Sequence, residues 1–153
     1  MRTLQFAYLA VLSVCSCVGQ PDYVSTIGVR YYLPEGSTWT HEQIEAQEQG
    51  FYWQVAGLPA YGSLTAILKA ASGMTVTVHA EKFQCKMSAS GYCNGIQDGA
   101  FLEVVDLGCP GNSALTHEMA HYLQLALRGV VDYDHTETDL WGIANSQQPG
   151  GCP

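Results

Sequence analysis

The chain predicts a small α+β domain, on three observations. Segments of period-two or β-branched character alternate with segments of helical period. Its 153 residues are enough for one hydrophobic core and leave no room for a second. Apolar residues make up 47% and charged residues 13%, a balance that collapses into a core and does not stay disordered. The expected architecture is a short mixed sheet of about three or more strands packed on two to three helices, the last helix carrying the candidate site.

The first nineteen residues read as a signal peptide. Arg2 supplies a positive start and Leu4 to Val14 an apolar run too short to span a bilayer, followed by small residues. The stretch Leu12-Ser13-Val14-Cys15-Ser16-Cys17 resembles a bacterial lipoprotein signal, which would make Cys17 the lipidated first residue, ahead of Cys15; ordinary cleavage near Gly19 is the alternative. Residues 20–153 then form a single domain. Export places it in a periplasmic, cell-surface or extracellular setting, with membrane attachment through the lipid if Cys17 is modified.

Along that domain, Ile27 to Leu33 (IGVRYYL) is β-branched and aromatic and reads as a strand. Thr40 is an N-cap, Ile44, Glu48, Phe51 and Val55 recur at helical spacing, and Gly57 and Pro59 stop the pattern, giving a helix over His41 to Ala56. A second helix is expected from Tyr61 to Ala71, ending at Gly73. Met74 to Ala80 (MTVTVHA) alternates, with Val76 and Val78 on one face and Thr75, Thr77 and His79 on the other, as in a half-buried strand. Ser88 to Gly99 is rich in Gly and Ser and reads as a loop, Phe101 to Asp106 (FLEVVD) as a strand, and Asn112 or Ser113 as the cap of the next helix.

That helix carries His117-Glu118-Met119-Ala120-His121. Residues four apart share a helix face, so both imidazoles can reach one metal ion with Glu118 beside them. Leu115, Met119, Tyr122 and Ala126 form an apolar stripe away from the histidines, and Arg128 and Gly129 close the helix with a cation and then a left-handed glycine. A third ligand is available in His135. The seven residues after Arg128 can span about 23 Å, enough to return past the roughly 10 Å that the helix climbs beyond His121. Asp134, Glu137 or Asp139 are oxygen-bearing alternatives for that position. Three neutral imidazoles would leave zinc its full charge and an open position for water. Asp132, Asp134 and Glu137 stand near enough in sequence to accept the second ring proton of His135. His79 and His41 have no partner ligand in sequence and read as structural or solvated.

On these residues, Phe101 to about Trp141 resembles the core of the zincin metalloproteases, a strand followed by an HExxH helix and a returning ligand loop. The resemblance covers about a quarter of the chain. Gln124 and Leu127 stand where a metzincin would have Gly and His, so that subfamily does not apply. Too few residues follow His135 for the glutamate helix of a gluzincin. The resemblance implies a zincin-like domain that hydrolyses peptide bonds in a peptide or protein substrate. It also implies Zn2+ held by His117, His121 and His135, Glu118 as general base, Tyr133 as a donor to the oxyanion, and the strand Phe101 to Asp106 as the cleft edge. A catalytically idle zinc-binding lipoprotein, or a zinc hydrolase of another bond, are the competing classes.

Export also governs the cysteines. Cys85, Cys93, Cys109 and Cys152 form an even set in an oxidising compartment, so two disulfides are expected, with Cys85–Cys93 and Cys109–Cys152 favoured among three connectivities. The spacings contain no Cys-x-x-Cys pair, which speaks against a four-cysteine zinc site. Formal charge is -8, and the six basic residues (Arg2, Arg30, Lys69, Lys82, Lys86, Arg128) form no cluster, which argues against a nucleic-acid partner. The protein is expected to be a monomer.

Overall fold

A computed structural model of the chain describes residues 19–85 and 91–146. The residues ahead of Gly19, expected to form a signal peptide, with Cys15 and Cys17, lie outside these, as do the start of the Ser88 loop and Cys152. Within the described residues the chain is an α+β domain with a mixed five-stranded sheet and four α-helices.

The first strand pair is β1 (Tyr23–Val24) and β2 (Arg30–Tyr32), antiparallel around a turn in which Ser25 N–H donates to Val29 O. The expected strand Ile27 to Leu33 is therefore cut to three residues. Helix α1 (His41–Ala56) has the expected bounds, and Thr40 and Gln43 form a reciprocal capping box at its start. Its buried face is Ile44, Gln47, Glu48, Phe51, Tyr52 and Val55. Helix α2 (Leu64–Ala71) begins three residues later than expected, because Ser63 caps it and Tyr61 belongs to a separate 3-10 turn opened by Pro59. Strand β3 (Thr75–His79) alternates as its sequence requires, Val76 and Val78 buried and the residues between them half-buried.

The segment Ser88 to Gly99, expected as a loop, contains β5 (Tyr92–Cys93), which pairs with β4 (Phe83–Gln84) ahead of it, and β6 (Gly95–Asp98); β7 (Phe101–Val105) follows where a strand is expected. Cys85 and Cys93 are joined by a disulfide with their Cα atoms 5.8 Å apart, which staples the β4–β5 hairpin. Cys109 is buried and also disulfide-bonded.

Sheet order is β1-β2-β3-β7-β6. The middle strands β2, β3 and β7 run parallel, and β1 and β6 are antiparallel edges. Strand β7 is consequently an interior strand, with β3 on one side and β6 on the other. It has no free backbone edge, which corrects the expectation that Phe101 to Asp106 borders the cleft. The edge is β6.

Helix α3 (Leu115–Arg128) carries the histidine motif and packs on β6 and β7. Ala114, which offers no side-chain cap, holds the position expected for Asn112 or Ser113, although Ser113 Oγ accepts the Leu115 N–H at 3.1 Å. Leu115, Met119 and Tyr122 face the core as expected, whereas Ala126 is exposed together with Leu125 and Arg128 of the same last turn. Gly129 closes the helix at φ 71, a left-handed conformation that costs glycine nothing. A further helix, α4 (Thr138–Asn145), packs on α3 and α1, so the motif helix is not the last and the described helices number four. Leu140, Trp141 and Ala144 of α4 are buried and join the core formed by α1, α3 and the sheet.

Candidate metal centre

Helix geometry puts His117 and His121 side by side, their ring centroids 5.0 Å apart. The loop from Val130 to Glu137 then returns His135 to the same place. Its ring lies 4.8 Å from His117 and 5.2 Å from His121, and the three residues offer ligand atoms all within 4.8 Å of one another. His135 is the one non-glycine residue with positive φ among the described residues, at 55°. Left-handed backbone at a side chain costs energy that the surroundings must offset, and such positions concentrate at functional sites.

Those surroundings are visible. Gln124, one turn beyond His121, accepts the Asp132 N–H on Oε1 at 3.1 Å and donates from Nε2 to Glu137 Oε2 at 2.7 Å, clasping both ends of the loop. Glu137 also accepts the Tyr61 hydroxyl at 2.6 Å and pairs with Arg128. Its carboxylate is thus engaged with three groups of the scaffold, which removes it as an alternative ligand. Asp132 accepts the Glu137 N–H at 2.9 Å and the Trp141 Nε1–H at 3.0 Å on Oδ2, and the Thr136 hydroxyl on Oδ1. Neither Asp132 nor Glu137 takes the expected role of accepting the His135 ring proton, since both are occupied in shaping the loop.

The donor set fits a metal ion. His121 Nε2 and His135 Nε2 face each other at 3.4 Å. Two nitrogens bound tetrahedrally to zinc at about 2.0–2.1 Å stand about 3.3–3.4 Å apart, and a shared cation relieves the opposition of two lone pairs. His117 Nδ1 lies 3.0 Å from Asn145 Oδ1, so an Nδ1–H donating there leaves Nε2 with its lone pair. Burial, then the neighbouring rings, holds His121 down at about 4, and burial also lowers His117, so both rings are neutral at pH 7.

Glu118 is 6% exposed, and burial pushes its carboxyl up to about 7. It lies against β6. A Cβ on Gly95 would come within 2.5 Å of Glu118 Oε1 and 2.7 Å of Ala114 Cβ, so only glycine permits this approach of strand to helix. Two open depressions meet at His117, Glu118 and Gly95. One, of about 420 Å³, is walled by Asn94, Asn112, Ser113, Asn145 and Ser146. The other, of about 180 Å³, is walled by Ile96, Gln97, Cys93 and Tyr133. Tyr133 is 61% exposed, with its ring 5.6 Å from His121.

The expected residues His117, Glu118, His121, His135 and Tyr133 therefore come together, and Asp134 and Asp139 do not join the metal-ligand group among the described residues. His79 and His41 stand elsewhere. His79 lies 2.7 Å from Glu103 and His41 stacks on Tyr23 at 3.9 Å, structural roles of the kind expected for both. Sequence reading missed Gly95, Gln124, Trp141 and Asn145; the last three stand near the motif or the third ligand in sequence, and Gly95 carries no such signal. No family model, curated protein or solved structure matches the chain.

Proposed function

We propose that the chain is an exported zinc-dependent peptidase of zincin type in which His117, His121 and His135 hold the metal. The carrying observation is the convergence of three imidazoles beside a buried carboxyl, at the meeting point of two depressions and a sheet edge. Bound zinc would supply a Lewis acid that polarises a carbonyl and lets water ionise near pH 7.

The protein's own residues do the rest. Glu118, shielded from bulk water by Gly95 and Ala114, accepts the proton of the attacking water and returns it to the departing amine. Tyr133, on the rim of the smaller depression, offers a hydroxyl to the developing oxyanion. An extended peptide adds to the free edge of β6, whose four residues align the substrate across Glu118 through backbone hydrogen bonds.

Digestion of a diverse peptide library by the mature, zinc-loaded chain tests this reading. Wild type should cleave, and Glu118→Gln, which keeps the side-chain shape, should cleave about 10²- to 10⁴-fold more slowly. Zinc retained without any cleavage by wild type would leave a binding protein in place of an enzyme.

A further inference from the structure

Two residues of α4 touch the histidine cluster and are not ligands. Trp141 is 4% exposed, and its ring centroid lies 4.9 Å from His117, 4.7 Å from His121 and 4.2 Å from His135. Its indole N–H is fixed by Asp132 Oδ2 at 3.0 Å, in the same loop that carries His135. Asn145, one turn further along α4, sits 3.0 Å from His117 Nδ1. The helix is in turn tied to the motif helix where the Thr116 hydroxyl donates to Ala144 O at 2.7 Å. A single short helix thus contacts the cluster at two points, through a rigid aromatic plane and through a directional acceptor.

We propose that Trp141 and Asn145 are positioning residues for the metal: Trp141 is the surface on which the three imidazoles are held, and Asn145 fixes the tautomer of His117. The inference rests on the three histidines being the ligand set.

The chemistry differs for the two. An imidazole with its proton on Nδ1 presents a lone pair on Nε2, and an acceptor opposite Nδ1 selects that form and raises the basicity of the ligating nitrogen. The Asn145 side-chain oxygen is such an acceptor. The indole acts by shape. It packs against all three rings, and through Asp132 it couples the orientation of His135 to that of the other two. The left-handed backbone at His135 needs such a restraint, because unheld it would relax and carry the third ligand away.

Two measurements on the full mature chain test the proposal. The first uses metal-free protein at a pH where the histidines are neutral and reads the His117 tautomer by long-range nitrogen–proton NMR. Wild type should show Nδ1–H, and Asn145→Ala should shift His117 toward Nε2–H. An unchanged tautomer would overturn the role of Asn145, whether or not the chain binds zinc.

The second is zinc competition against a chelating dye. Asn145→Ala should weaken zinc about 10- to 100-fold, and Asn145→Asp, which restores an acceptor, should recover it. Trp141→Ala should weaken zinc by at least as much, and Trp141→Phe, which keeps an aromatic plane but loses the bond to Asp132, should fall between. Copper(II) should quench a tryptophan emission component in wild type that is missing from Trp141→Phe. Wild-type zinc affinity in Trp141→Ala and Asn145→Ala would overturn the proposal. Failure of wild type itself to bind zinc would overturn the ligand set, a result distinct from either variant outcome.

Discussion

Glu48 and Glu118 are both buried carboxyls that burial pushes up to about 7, and they sit in opposite kinds of surroundings. Glu48 lies on the inner face of α1, fully buried, accepting the Tyr31 hydroxyl at 2.7 Å with tyrosine and aliphatic side chains packed around the pair. Glu118 lies on α3 beside three imidazoles, with an open depression on each side. The same shift therefore arises in a closed core and at an open cleft. It reports loss of water and nothing more. What separates the two acids is access and neighbours: Glu118 adjoins the histidine cluster and open depressions, and Glu48 adjoins neither.

Activity should separate the two acids most. Glu118→Gln should lower peptide hydrolysis about 10²- to 10⁴-fold with the fold intact, while Glu48→Gln should leave the rate within about twofold. Equal losses in steady-state assays would mean that core packing, not proton transfer, sets the rate.

Stability should invert the ranking. A carboxyl that rises from its ordinary 4.5 to about 7 on folding binds more protons in the native state than in the unfolded one between those values. Its contribution is therefore complete below about pH 4.5 and is lost as pH rises through 7. Glu48→Gln should match wild type in denaturant unfolding near pH 4.5 and exceed it by up to about 3 kcal/mol at pH 8. A variant no more stable at pH 8 than at pH 4.5, relative to wild type, would contradict a neutral Glu48 in the native core.

Gly95 holds the strand against the acid at the cleft. Gly95→Ala sets a methyl where Glu118 Oε1 and Ala114 Cβ now stand, so the carboxyl must move. Hydrolysis should fall on the order of 10- to 100-fold with zinc content unchanged, because the imidazoles are untouched. Loss of zinc in parallel would show that β6 supports the ligands as well as the base.

A smaller effect is expected at Glu137. Glu137→Ala strips Arg128, Tyr61 and Gln124 of a shared acceptor and should destabilise the chain by about 1–2 kcal/mol in chemical unfolding, with zinc still bound in full stoichiometry. Complete loss of the metal would restore Glu137 as a ligand.

Local signals in the sequence were informative where one element carries its own evidence. The capping box and apolar spacing of α1, the alternation of β3, and the histidine pair closed by Arg128 and Gly129 all depend on residues within a few turns of each other. The approach of His135 followed from chain length alone. What stayed hidden carries a weak local pattern or depends on how elements pack. Gly95–Asp98 has too little apolar alternation to announce a strand, and whether β7 is an edge depends on β6 lying beside it. Helix α4 spans only two turns and opens without a side-chain cap, too short for its period to stand out. The contacts of Trp141 and Asn145 with the histidines exist only because α4 folds back onto α3.

Three histidines brought together by α3 and the returning loop are proposed to hold one zinc ion. Elemental analysis of the mature chain, exchanged against trace zinc and then dialysed, tests it most directly. About one zinc per chain is expected in wild type and essentially none in His121→Ala, with Glu118→Gln still loaded. Folded wild type that carries no zinc, or His121→Ala that carries as much as wild type, would contradict it.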